Sequence, residues 1–240
     1  LIVVDTADLA AADDHGAAVN EYAVSGVESA VFDAVHVRGT ELQAPMTFTV
    51  WRAPTDNDRN IKNKWLQFHY DRVHAYGYDA TVTEKDGCVT VHSSFALVTD
   101  GITWLAKGEC DWTVAPDGAL TVAMQVKKNT DLPEFPRFGL HIELPAAMQQ
   151  VKYLGYGPYE SYIDKHRASW YGAFEATVDE LHEDYIRPQE NGSHWHCTAL
   201  RVAGEGAGLN VAAVGAPFSF NASRYTARQL TDAKHNYELV

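Results

Sequence analysis

The chain has 240 residues, 46% of them hydrophobic and 11% aromatic, enough apolar material for a large buried core and too much for a disordered polymer. Its 32 acidic against 19 basic residues leave a net charge of −13 spread along the sequence, which repels phosphate backbones and anionic lipid and so argues against nucleic acid or a membrane as partner. No run reaches the roughly eighteen apolar residues of a membrane-spanning helix, and the opening Leu1-Ile2-Val3-Val4 lacks the basic flank of a signal peptide. Cys88, Cys110 and Cys197, with no CxxC pair, read as reduced thiols of a cytoplasmic protein.

In chain order, the Ala- and Asp-rich start carries no strand pattern, so residues 1–20 read as a linker or frayed start and 21–240 as one domain. Short β-type runs follow at Glu21–Val24, Ala30–Phe32, His36–Arg38 and Thr47–Val50, separated by Gly26, Gly39 and Pro45. Ile61, Trp65, Leu66 and Phe68 recur at mostly helical spacing and predict a short helix within Asn60–Tyr70, with Val178–His182 as the next helical segment. Ala80–Thr83, Cys88–Phe95, Thr103–Thr113 and Leu120–Lys127 alternate apolar with polar and are divided by Asp86-Gly87, Asp100-Gly101 and Pro116-Asp117-Gly118. Asp-Gly is a strong hairpin signal because both residues tolerate positive φ, so this is a meander of antiparallel strands.

Phe138–Leu144, Gln150–Tyr156, His194–Val202, Leu209–Val214 and Phe218–Phe220 continue the strands, and Ser223–Thr231 reads as a short helix or turn. Tyr237-Glu238-Leu239-Val240 reads as a strand stopped without a closing turn. With a start at Leu1 instead of methionine, the chain reads as a fragment truncated at its C-terminus. The spacing implies an all-β architecture of roughly twelve to fifteen strands with one or two short helices.

The most distinctive stretch is Trp51-Arg52-Ala53-Pro54-Thr55-Asp56-Asn57-Asp58, directly after an apolar strand. Pro54 presets one backbone angle and Asx side chains rebuild turns, so Arg52, Asp56, Asn57 and Asp58 are expected to shape a structured loop. Other candidate chemistry has bland readings beside it. His194 and His196 alternate on one strand face and would bind a metal only if a third ligand such as His182 converged, so no metal site is assigned. His141 and Glu143 share a strand face, which suits either a general acid beside a base that epimerises a sugar or the wet side of a half-buried strand. Glu160 with Asp164, or Glu183 with Asp184, are either a hydrolytic carboxylate pair or acidic surface. No nucleophile elbow or cysteine motif is present, and no catalytic residue is assigned. Gly155-Tyr156-Gly157-Pro158-Tyr159-Glu160-Ser161-Tyr162 packs three tyrosines into eight residues, equipment for contact with a sugar or another domain.

Three stretches taken together, Phe48–Asp58, Phe135-Pro136-Arg137-Phe138-Gly139-Leu140 and Tyr153–Asp164, resemble the C-terminal domain of large bacterial β-galactosidases of glycoside hydrolase family 2. Pro188-Gln189-Glu190-Asn191-Gly192 and Phe218–Tyr225 match the same domain in the same order. The resemblance implies a large antiparallel super-sandwich similar to galactose mutarotases. It also implies a non-catalytic domain that walls the galactoside pocket and supports assembly, while the catalytic glutamates stand in a separate barrel whose motifs are missing here. The implied partners are the remaining domains of the parent enzyme, in one or more chains and in an oligomer, with a β-galactoside as the full enzyme's substrate. No cofactor is implied for this chain, any Mg or Na belonging to other domains.

The residues after the Asp-Asn-Asp cluster, Arg59, Asn60, Ile61, Lys62 and Asn63, become a substrate-adjacent loop by the same resemblance, Asn60 standing where better-known members carry Gly. The family's sugar-stacking Trp lies beyond the point matching Leu239-Val240, so no residue here takes that role. The rival readings are a stand-alone mutarotase or epimerase using His141 and Glu143, and a carbohydrate-binding module.

Overall fold

The computed structural model describes residues 46–204 and 208–239, and of the chain before Met46 the backbone of six strands only; of Ile102 and Thr103 it describes the backbone alone. The chain forms two compact units, one comprising Ile2–Trp51 with Asn60–Pro145 and the other Arg52–Arg59 with Ala146–Val240. Every strand pairing described within them is antiparallel, and the fold is all-β as the spacing implied.

In the first unit, β1 (Ile2–Val3) pairs with the last strand of a long meander. A separate five-stranded meander is made by β2 (Leu9–Asp13), β3 (Gly16–Val19), β4 (Tyr22–Ser25), β5 (Ala34–Val37) and β6 (Thr40–Leu42) in sequential order, so two of its strands lie in the segment that composition reads as linker. The Ala30–Phe32 run lies outside the described residues. β7 (Met46–Thr49) is followed by α1 (Lys62–Gln67), within the segment whose periodicity predicts a helix.

The long meander is β8 (His74–Lys85), β9 (Cys88–Thr99), β10 (Ile102–Val114) and β11 (Ala119–Lys128). Its turns are where the Asp-Gly pairs place them: Asp86 and Gly87 both take positive φ, 54° and 77°, and Gly101 and Gly118 take 79° and 80°. After Pro116, Asp117 Oδ1 accepts the Ala119 amide at 3.0 Å, an Asx-type closure.

β12 (Gly139–Ile142) pairs with β7, and this small ribbon covers one face of the meander. Phe48 of β7 stacks on Phe95 of β9 with centroids 4.6 Å apart and planes 12° from parallel, above fully buried Val91, Leu97, Leu105 and Trp112. Gly108 is required beneath them, since a Cβ there would meet Gln125 O at 2.7 Å and the Phe95 ring at 2.9 Å. Trp65 of α1 is anchored by its indole N–H on Glu134 O at 3.0 Å. Tyr70 donates to Pro133 O at 2.7 Å, and burial first, then Glu134, pushes its phenol up to about 12.

The second unit repeats the scheme with other residues. β13 (Gln150–Gly157) lies between β14 (Trp170–Thr177) and β16 (Ala199–Ala203), and β17 (Gly208–Ala212) follows β16. β15 (Ser193–Cys197) pairs with β18 (Phe218–Asn221) as a ribbon over this sheet. Its core is Tyr153 of β13 packed against His194 at 4.4 Å, Phe220 at 5.1 Å and Phe174 at 5.4 Å between ring centroids. Gly155 makes room for buried Cys197, whose Sγ lies 2.2 Å from where a Cβ would stand. α2 (Ala227–Asp232) begins with a capping box in which Thr226 Oγ1 accepts Gln229 N at 3.1 Å and Gln229 Oε1 accepts Thr226 N at 2.9 Å.

Three local expectations change, and one strand lies where the sequence pattern implied none. Val178–His182 is a turn and not a helix: Thr177 and Glu180 cap each other as at a helix start, but the Glu183 amide is taken by Asn191 Oδ1 at 3.1 Å, which stops propagation. His194–Val202 is not one strand, because His196 takes φ 56° and the register slips between His194 and Cys197, sending β15 and β16 into different sheets. Tyr237–Leu239 is not a strand; Asn236–Glu238 forms a 3₁₀ turn in which Glu238 accepts the Lys234 amide at 2.9 Å. Strand β14 was not read from the sequence at all.

Candidate functional site

The loop after Trp51 is folded around Asp58. Arg52 Nη2 lies 2.8 Å from both carboxylate oxygens, and Oδ2 also accepts the Thr55 amide at 2.9 Å and the Thr55 hydroxyl at 3.0 Å. The Asp58 amide in turn donates to Thr55 O at 2.9 Å, so a carboxylate, a guanidinium and one turn of 3₁₀ helix (Asp56–Arg59) close on themselves within the eight residues Arg52–Arg59. Asp58 is buried, whereas Asp56 and Asn57 are exposed.

A second segment, Pro188–Gly192, clasps that loop. The Asp56 amide donates to Gln189 Oε1 at 3.0 Å, and the Glu190 amide donates to Ala53 O at 3.1 Å. From the other side Asn221 of β18 donates to Glu190 Oε1 at 3.3 Å and to Asn191 O. The segment ends at Gly192, whose φ of 67° and close approach to Leu181 O forbid a side chain, and whose amide donates 3.0 Å to Glu160 Oε2. Four of the five motif stretches recognised in the sequence thus meet through Pro188–Gly192. The fifth, around Phe138, contributes to the other unit, where its ring lies 6.0 Å from Phe48.

Glu160 takes hydrogen bonds from four different residues. Its Oε1 accepts Lys165 Nζ and the Tyr185 hydroxyl, and its Oε2 accepts Gly192 N and, at 3.4 Å, the Tyr162 hydroxyl. Burial by itself would raise its pKa. The bonds from Lys165, Tyr185 and Gly192, with the Lys165 charge, outweigh that and hold the carboxyl below its ordinary value. Tyr162 and Tyr185 are pushed up, chiefly by burial. Glu160 is therefore a fixed anion at neutral pH, the opposite of the raised carboxyl that a glycosidase acid requires. Its sequence-level partner Asp164 is exposed.

A cavity of about 340 Å³ opens beside this cluster, lined by Tyr159, Glu160, Lys165, His166, Ala168, Glu183, Asp184 and Tyr185. Behind it His166 stacks on Trp195 with centroids 4.3 Å apart, and Tyr156 and His196 extend the aromatic cluster. His166 Nδ1 lies 3.0 Å from Tyr162 O; a carbonyl only accepts, so Nδ1 carries a proton and donates it there.

The remaining sequence candidates are dispersed. Arg59 ends the Asp56–Arg59 turn and is exposed; Asn60, Ile61 and Asn63 are exposed and Lys62 half-buried, at the entry to α1. His194 is buried while His196 is exposed, because the bulge between them cancels the alternation that would have put both on one face. Burial keeps His194 neutral by lowering its pKa. Among the described residues no three His, Cys, Asp or Glu side chains converge as a metal site would. His141 stands opposite Thr47 in β12, which ends at Ile142, so Glu143 lies beyond the strand whose alternation paired it with His141. Sequence reading named three of the cavity's residues, Glu160, Glu183 and Asp184, but as separate carboxylate pairs; it joined neither Lys165 nor Tyr185 to them, since those contacts span up to 25 residues.

Residues 22–240 match the family model described as the β-galactosidase small chain. The chain is similar to a β-galactosidase of Actinobacillus pleuropneumoniae, at 37% identity over 88% of this chain and 21% of the relative. It is similar also to the β-galactosidases of Staphylococcus xylosus, 38% identical over 79% and 19%, and of Vibrio cholerae, 32% identical over 83% and 20%. It spans about a fifth of the length of each of these relatives.

Proposed function

This chain belongs to the β-galactosidase small-chain family, and from that premise we propose that it is a non-catalytic C-terminal domain of a β-galactosidase. In this reading the full enzyme hydrolyses terminal β-D-galactosides such as lactose in the cytoplasm, and this domain walls one side of the pocket and supports assembly with the other domains. The observation that carries it is the match to a fifth of much longer β-galactosidases, which leaves the greater part of such an enzyme to other segments.

The chemistry of the described residues is in keeping with that role. The carboxylates of Asp58 and Glu160 are bonded by Arg52 and Thr55 and by Lys165, Tyr185 and Gly192, and so they hold loops in place. In this reading Arg59, Asn60, Ile61, Lys62 and Asn63 are the substrate-adjacent residues, and Arg52 and Asp58 fix the turn that precedes them in sequence. Among the described residues no helix is long and apolar enough to cross a membrane.

The test is hydrolysis of a chromogenic β-galactoside by the purified chain, by the parent enzyme lacking this region, and by the two mixed. Turnover in the mixture alone is expected. Turnover by the chain alone would overturn the reading. In the reconstituted mixture, Arg59→Ala should raise KM several-fold with a smaller effect on kcat, as loss of a contact made to bound substrate does.

A further inference from the structure

We propose that the cavity beside Glu160 is a binding site for a single neutral sugar ring. The inference rests on the cavity's own geometry and not on the β-galactosidase reading.

Its volume of about 340 Å³ is at the small end of the range in which proteins hold small molecules, ~300–1,000 Å³, which limits the occupant to about one ring. Its lining combines two surfaces that a pyranose needs together. Tyr159, which is 59% exposed, and the His166 imidazole backed by Trp195 offer flat apolar faces for the C–H side of a ring. Glu183 and Asp184 offer carboxylate oxygens that accept hydroxyl protons, and a carboxylate takes two neighbouring hydroxyls at once.

A donor is also in place. Lys165 spends one N–H on Glu160 and another on the Tyr185 hydroxyl at 3.0 Å, and an ammonium has three, so one is left for a ligand oxygen. Glu160 gives this donor its position: the carboxylate is buried, four-fold bonded and anchored to the Gly192 amide, so Lys165 and Tyr185 are held before any ligand arrives. With Glu160, Glu183 and Asp184 against Lys165 alone, the lining is negative overall. That disfavours sugar phosphates and uronates. A neutral polyol, whose hydroxyls donate to Glu183 and Asp184 and accept from Lys165, is the class that uses both kinds of group.

The experiment is titration of the isotopically labelled 240-residue chain with D-galactose, D-glucose and galactose 6-phosphate, following backbone amide shifts. A neutral hexose should give saturable shifts at Lys165, His166, Tyr185 and Gly192 with Kd in the millimolar range, roughly −4 kcal/mol or weaker in affinity. The phosphate should bind at least about fivefold more weakly, from its charge. Glu183→Gln combined with Asp184→Asn, both on exposed side chains, should weaken hexose binding about fivefold or more, as should Tyr159→Ala, with the remaining amide spectrum unchanged as the check on folding. Lys152→Ala, on an exposed ion pair with Glu175, should leave it unaltered. Absence of saturation at about 200 mM hexose, far above the affinity expected of so small a site, overturns the proposal. So does binding that ignores the Glu183, Asp184 and Tyr159 substitutions, or equal binding of the phosphate. A chain that binds hexose here but fails to complement a truncated galactosidase would sink the proposed function and leave this site standing.

Discussion

Asp58 and Glu160 are both buried carboxylates that hold a loop, yet they draw their partners from different distances along the chain. Asp58 is satisfied by Arg52, six residues before it, and by Thr55, three before it. Glu160 takes Lys165 from five residues away, but Tyr185 from 25 and the Gly192 amide from 32. The first arrangement is a local turn that loses little chain entropy when it closes; the second closes only when β13, the Tyr185 segment and the start of β15 have come together. A carboxylate of the first kind orders one loop, and one of the second kind reports on the tertiary fold.

The sharpest way to break the comparison is to remove each acceptor. Glu160→Ala should cost about 3 kcal/mol, because it strands the buried Gly192 amide and the Tyr185 hydroxyl together; the exposed part of Lys165 is rehydrated and keeps the loss from being larger. Asp58→Ala should cost on the order of 2 kcal/mol, since Arg52 is partly solvated and the Thr55 groups lie close to water. Denaturant midpoints of the two variants measure both, and a larger loss for Asp58 would reverse the ranking. Thr226→Ala, which removes one half of the α2 capping box and touches neither carboxylate, sets the scale for a purely local device at about 1 kcal/mol.

Acid sharpens the same contrast. The folded pKa of Glu160 lies below its ordinary value, so its contribution to stability is complete above that ordinary value and is lost as pH falls through the folded one. Stability of the wild-type chain should therefore fall below about pH 4.5, the ordinary carboxyl value, with a steeper slope than that of Glu160→Gln. Parallel pH profiles for the two would show that the carboxylate is not held as an anion. This is the smallest of the expected effects, a difference of slopes instead of a shift in midpoint.

What could be read in advance follows the range over which residues act. The turns at Asp86-Gly87, Asp100-Gly101 and Pro116-Asp117-Gly118 were legible because positive φ is a property of the residues in the turn, and the meander β8–β11 followed from alternation between them. The segment Asn60–Tyr70 showed its helix through spacing alone, and the motif stretches pointed to their family. The misreadings share an opposite cause. Val178–His182 has a helix-like start, but Asn191, held in Pro188–Gly192, takes the Glu183 amide. His194 and His196 were placed on one face by alternation that a bulge opposite Phe218–Phe220 removes. Composition, turn chemistry and strand period were decided by the sequence itself, because each acts within a few residues. The convergence of four motifs on Pro188–Gly192, the anchoring of Glu160 and the cavity beside it were decided only by the tertiary structure, because hydrogen bonds across 25 to 133 residues exist only once the sheets have packed.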